Sequence, residues 1–204
     1  MMEQKKVYST DYPTALVSTL EGSEVMIDAT ALAKTGYKNF SCKFLTYLQT
    51  GRASLLVPKS TLSELSRMLD ANPELRDNLK TALNSLQFME DRGYLRYFGS
   101  EEDAPAEAII RHLVLNRKNK QFTVLTQDRK LAYDILEIVN NFKSVTGNAA
   151  AVWRLQHDGN LGGFVFDEIV GTPAPAEEFV PSYAATAPAP AADKYRALLD
   201  RLNK

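Results

Sequence analysis

Short apolar runs alternating with helical periodicities predict an α/β protein built on a mostly parallel sheet. Three observations carry that expectation. The runs Val25-Met26-Ile27, Leu55-Leu56-Val57 and Phe122-Thr123-Val124-Leu125-Thr126 are short, partly β-branched and bounded by turn or polar residues, as buried strands are. Between them, apolar residues recur at three- and four-residue spacing. Acidic residues follow several of the runs, at the sheet edge where open α/β sheets bind ligands.

In chain order, residues 24–27 form the first strand, between Gly22-Ser23 and Asp28. Ala29 to Ala33 starts a helix that Gly36 interrupts, and Phe40, Phe44, Leu45 and Leu48 resume helical spacing until Gly51. Ser54 to Val57 is the second strand, stopped by Pro58. Leu62, Leu65, Met68 and Leu69 share one helical face. Residues 73–92 carry Leu75, Leu79, Leu83, Leu86 and Met89 in register, ended by Gly93. Residues 94–98 alternate as a strand, and 100–105 are an acidic turn into a helix marked by Ile109, Ile110, Leu113 and Val114. After the strand at 122–125, Leu131, Ile135, Ile138 and Val139 mark another helix. A last strand is expected at 149–155, with His157-Asp158-Gly159-Asn160 turning into a hairpin partner at Phe164-Val165-Phe166.

Composition bounds the functional classes. The 204 residues suffice for one cored domain with extensions, and 45% hydrophobic content is ordinary for a globular chain. No run approaches the roughly 20 apolar residues of a membrane span. The opening Met1-Met2-Glu3-Gln4-Lys5-Lys6 leads into no apolar segment, so no signal peptide is expected. The single Cys42 excludes a disulfide or thiolate zinc site within the chain and suits a reducing cytoplasm. A net charge of −1 argues against an indiscriminate basic nucleic-acid binder, while leaving room for a local basic groove. The expected organisation is an N-terminal extension over 1–23 and a domain over 24–170. An Ala/Pro-rich disordered linker over 171–192 and a short amphipathic helix over 193–204 follow. Tyr195, Leu198, Leu199 and Leu202 share one side of that helix. It is too short to persist alone, so it docks on its own domain, pairs with a copy, or binds a partner.

Four acids carry the chemistry: Asp28, Glu64, Glu107 and Asp128. Each has an ordinary structural reading. Asp28 and Asp128 are good helix N-caps, Glu64 suits a solvated helix face, and Glu107 suits the first turn of a helix. Asp103 competes with Glu107 for its place and is the better cap. Taken together, carboxylates gathered at one sheet edge repel one another unless a cation sits among them. His112 and His157 read as a helix-face and a turn residue, which disfavours zinc.

The ordered set resembles the PIN domain family of metal-dependent nucleases. The resemblance spans roughly residues 24–155: Asp28 with Thr30 after the first strand, Glu64 on the helix after the second, Glu107 before an Ile-rich helix, and Thr126 with Asp128 after the strand at 122–125. Glu107 stands where the family usually has Asp, unless Asp103 takes that part, and Gln127 stands where Asn is common. The resemblance implies a three-layer α/β/α sandwich. It also implies Mg²⁺ or Mn²⁺ held by Asp28, Glu64, Glu107 and Asp128, with Thr30, Thr126 and Asp103 supporting them. The implied activity is hydrolysis of single-stranded RNA, with DNA as an alternative, and a homodimer is implied as well. Lys34, Lys38 and Lys43, with Tyr37 and Phe40 between them, and Arg129 and Lys130 are the expected nucleic-acid contacts. Arg111, Arg117, Lys118 and Lys120 add basic character nearby. Two other readings remain. One is a catalytically weak binding module that recruits a protein partner or inhibitor through 193–204. The other is a nucleotide-binding switch, for which no Gly-rich phosphate loop is present.

Overall fold

The computed structural model describes residues 15–116, 121–146, 150–164, 198 and 200–202. Six strands form one sheet: β1 (Glu24–Ile27), β2 (Ser54–Pro58), β3 (Leu95–Phe98), β4 (Phe122–Leu125), β5 (Ala150–Leu155) and β6 (Leu161–Gly162), in the spatial order β3-β2-β1-β4-β5-β6. The first five run parallel, and β6 returns antiparallel to β5. The helices are α1 (Ala29–Leu32), α2 (Tyr37–Gln49), α3 (Thr61–Ala71), α4 (Arg76–Asp91), α5 (Pro105–Asn116) and α6 (Arg129–Thr146). No described helix is long and apolar enough to cross a membrane.

Alternation along the strands divides the core in two. Val25, Ile27, Leu55 and Val57 face α1 to α4, while Met26, Leu56, Phe122 and Val124 face α5 and α6. This period of two places one apolar layer on each side of the sheet, an arrangement compatible with a three-layer sandwich. β1 lies at the centre, with β2 and β3 on one side and β4 and β5 on the other. The chain therefore reverses its direction of travel between β1 and β4, and the crevice at their carboxyl ends is where such sheets take ligands.

Several boundaries differ from the sequence expectations. The core reaches back before Glu24: Val17 and Leu20, in a 3-10 turn (Val17–Leu20), are buried with the α1 to α4 layer, and Ala15 bridges Leu161. The helix expected from Phe40 begins at Tyr37, because Tyr37 itself is buried. The returning hairpin strand is Leu161–Gly162, not 164–166; Phe164 is buried beyond it, and Val165 and Phe166 lie outside the described residues. The expected linker at 171–192 also lies outside them. Of the C-terminal helix, Leu198, Asp200, Arg201 and Leu202 are described. Leu198 and Leu202 are buried in the same core as Leu65, Leu69, Leu79 and Leu83, and Arg201 hydrogen-bonds Ser66 and Asp70 of α3. Of the three fates open to this segment, docking on its own domain is the one observed.

The hairpin after β5 is seated on the start of α2. A Cβ on Gly36 would stand 1.8 Å from the Gln156 carbonyl oxygen, and one on Gly159, at φ +81°, would stand 2.5 Å from the Phe40 amide. Lys43 closes the contact by donating to the Asp158 carbonyl and to Asn160 Oδ1. Both obstacles are backbone and cannot step aside. Gly36→Ala is therefore expected to cost about 2–3 kcal/mol, lowering the thermal midpoint by roughly 5–10 °C in a circular-dichroism melt. Unchanged melting would mean that the hairpin does not rest on α2.

Candidate functional site

The parallel register sets the first pair of groups face to face. Ile27 lies opposite Leu125, so Asp28 and Thr126 leave β1 and β4 side by side, and the Asp28 amide still bonds the Leu125 carbonyl. Asp28 caps α1, accepting from the Ala31 amide at 2.9 Å. Its Oδ2 accepts from Thr126 Oγ1 at 2.6 Å, and Thr30 Oγ1 donates to the same carboxylate at 2.8 Å and 2.9 Å. Each threonine oxygen also accepts a backbone N–H from the end of β4: Thr30 from Gln127 at 2.8 Å, Thr126 from Asp128 at 2.9 Å. The two hydroxyls thus tie the β1 and β4 ends into one network around a buried acid. Gln127 extends it by donating from Nε2 to the Leu155 carbonyl of β5.

Asp128 caps α6 through Oδ1, which accepts from the Lys130 and Leu131 amides. Glu64 stands in the first turn of α3, after β2. It accepts no hydrogen bond, yet it feels the charges of both Asp28 and Asp128. Three acids from three separate elements are thereby gathered at the crevice between β1 and β4. Burial pushes the Asp28 carboxyl up to about 6, against the opposing pull of the Thr126, Ala31 and Thr30 bonds, with Asp128 adding repulsion. Burial pushes Glu64 up to about 7, reinforced by Asp28 and Asp128 and opposed by Arg67.

Glu107 does not join them. It is exposed on α5 and paired with Arg111 at 2.6 Å, and it exerts no resolved influence on Asp28 or Glu64. Asp103 does not cap α5 either; it accepts from the Ser100 amide and from Arg111 at 3.0 Å, closing the loop that enters the helix. The cause is local. Arg111 lies four residues after Glu107 and eight after Asp103, within reach of both, and binds them as a pair. His112 packs between the rings of Phe98 and Phe122.

The basic residues are also sorted. Lys34, Lys38 and Lys130 are exposed with no side-chain partner, and Arg129 is exposed. Lys43 holds the hairpin and is not a free contact. Tyr37 and Phe40 are 2% and 1% exposed and pack in the core with Phe44, so neither can stack on a base. Phe40 and Phe44 sit one turn apart on the inward face of α2, and burial of large rings outweighs any surface role there. Arg117, Lys118 and Lys120 lie outside the described residues. Two participants had escaped the sequence reading. Arg67 is one turn beyond Glu64 at a spacing that brings charges together, and the run Lys59-Ser60-Thr61 joins β2 to α3.

Among the described residues no three His, Cys, Asp or Glu side chains form a ready-made metal cage. The donor set nonetheless fits a hard dication in its chemistry: oxygen donors, desolvated and mutually repelling, with Glu64 unsatisfied. Mg²⁺ keeps several waters and is commonly held by one or two carboxylates plus substrate phosphate, so a full cage is not required.

The raised proton affinities make stability fall as pH rises. A folded-state value of about 6 for Asp28 and about 7 for Glu64 exceeds their ordinary 3.8 and 4.5. The folded chain therefore binds more protons than the unfolded chain between about pH 4 and 7, and loses relative stability across that window. At about 1.4 kcal/mol per tenfold in proton affinity, the ionised Asp28 disfavours the metal-free fold by roughly 3 kcal/mol. The metal-free Asp28→Asn protein is expected to melt higher than wild type at pH 8, with the gap closing toward pH 4. A gap that stays constant with pH would contradict this electrostatic account. No known protein family and no curated protein matches the chain.

Proposed function

We propose that the chain is a divalent-metal-dependent endoribonuclease of PIN-like architecture, hydrolysing phosphodiester bonds of single-stranded RNA. The observation that supports it most is the convergence of Asp28, Glu64 and Asp128 at the crevice between β1 and β4, with two of the three held as reluctant anions. Structural acids have no reason to be assembled against their own repulsion; a site that takes up positive charge does.

Asp28, Glu64 and Asp128 would hold Mg²⁺ or Mn²⁺. When bound, such an ion lowers the pKa of a water and offsets charge on the phosphate. The chain's own groups do the remaining work. Thr30 and Thr126 fix both oxygens of Asp28, so its carboxylate presents one orientation. Asp128 is fixed at Oδ1 by two amides, and its Oδ2 accepts no hydrogen bond from a described residue. Glu64 can accept a proton near neutrality, which suits a group that orients or deprotonates a water. Lys34, Lys38 and Lys130 would offset the backbone charge of an incoming strand.

The tail-binding alternative draws less support. Leu198 and Leu202, two of the four apolar residues it would offer a partner, are buried in the core that α3 and α4 line, and Tyr195 and Leu199 lie outside the described residues.

Cleavage of a labelled single-stranded RNA in Mn²⁺, read on a denaturing gel, tests the proposal. Asp28→Asn, Glu64→Gln and Asp128→Asn are each expected to reduce cleavage by about 100-fold or more, and Thr126→Val by about 10- to 100-fold through the lost orientation of Asp28. Glu107→Gln is expected to stay within about threefold of wild type, since its partner is Arg111. Full cleavage by the Asp28→Asn protein would end the nuclease reading.

A further inference from the structure

The junction of β2 and α3 holds polar groups that no described residue satisfies. Ser60 is the N-cap of α3 but makes no side-chain capping bond, and its hydroxyl, 97% of the residue being enclosed, has no partner. The hydroxyl of Thr61, fully enclosed, has none either. The first helical amide to bond backward is that of Glu64, to the Ser60 carbonyl, so the amides ahead of it point out of the helix start. Beside them Lys59 is exposed with no side-chain partner, fixed at the sheet edge by its amide bond to the Phe98 carbonyl.

Buried hydroxyls without partners destabilise the fold that holds them. Two adjacent ones, at the positive end of an eleven-residue helix and next to a free ammonium, form an arrangement that an anion would complete. The same turn carries Glu64, so this anion site would border the acid pocket. The pairing of a cation-holding pocket with an adjoining anion cradle is what a phosphodiester chain requires.

We propose that Lys59, Ser60, Thr61 and the first-turn amides of α3 form a phosphate subsite that grips a backbone phosphate of a single-stranded nucleic acid beside the acid pocket. The inference rests on the nuclease reading. The exposed Lys59 ammonium and the first-turn amides make the contact, with the unpartnered hydroxyls of Ser60 and Thr61 as further donors directly behind them.

The test is binding of a fluorescein-labelled ten-nucleotide oligouridylate to the full chain by anisotropy, in EDTA so that cleavage does not intervene, across a salt series. Lys59→Ala is expected to weaken binding and to shallow the salt dependence by about 0.7 in the log–log slope, as one lost phosphate contact does on a single strand. Ser60→Ala with Thr61→Val is expected to weaken binding severalfold while the thermal midpoint holds or rises, because the removed hydroxyls were unsatisfied. Millimolar inorganic phosphate should compete with the oligonucleotide in wild type and fail to do so in the triple variant. A purely structural role for the hydroxyls would instead lower the midpoint and leave affinity alone, which overturns the subsite. So would variants that bind like wild type. A wild-type protein that binds no oligonucleotide in EDTA, yet still binds phosphate through Lys59, would uphold the anion site and overturn a nucleic-acid backbone as its ligand, while the nuclease reading stands or falls separately on the Mn²⁺ cleavage assay.

Discussion

The hydrogen bond from Thr126 to Asp28 is the constraint on which the rest of the site depends. It joins the ends of β1 and β4, the two strands between which the chain reverses its course, and it is made inside the protein to a carboxylate that burial disfavours. Charge-assisted bonds of this kind are short and strong because the acceptor is ionised, and that strength offsets part of the desolvation. Remove the hydroxyl and Asp28 keeps its burial while losing its largest compensation. Thr30 adds a second tie, and the backbone amides of Gln127 and Asp128 fix where both threonine oxygens point. The acid pocket is therefore a property of the sheet's central seam, not of the loops around it.

That seam also explains why Glu64 behaves differently from the two aspartates. Asp28 and Asp128 each cap a helix, and capping satisfies oxygens that would otherwise need water. Glu64 caps nothing. It sits within the first turn of α3 with no hydrogen bond, and repulsion from the other two acids adds to its burial. Arg67, on the next turn of the same helix, opposes this only in part.

The sheet was legible in the sequence because its strands are short, apolar and β-branched, and these runs have no competing interpretation. β4 and β5 ended within a residue of expectation for that reason. The β6 boundary was missed because Phe164-Val165-Phe166 looks more like a strand than Leu161-Gly162 does, while the pairing is decided by the turn at Gly159 and its seat on α2. Within the site, Asp28, Thr30, Thr126 and Asp128 could be read because each follows a strand directly. Glu107 instead lies in the first turn of α5, well after β3, where an arginine one helical turn away claims it, and no pattern of acids alone reveals that. Tyr37 illustrates the same limit. Following a glycine and lying between lysines, it reads as exposed until the helix is seen to turn it inward, whereas Phe40 already fits the apolar helical spacing.

The pocket's two walls are unequal in stiffness. Asp28 is pinned at both oxygens and cannot swing without breaking bonds across the sheet, whereas Glu64 is a three-carbon arm with no tether. Under the proposed function, an ion would meet Asp28 fixed at both oxygens, Asp128 held at one, and a Glu64 that reaches. Small ions of strict octahedral habit and larger ones with looser shells differ in how far that arm must extend. On that proposed function, discrimination by ionic radius would reside in the rotamers of a single glutamate.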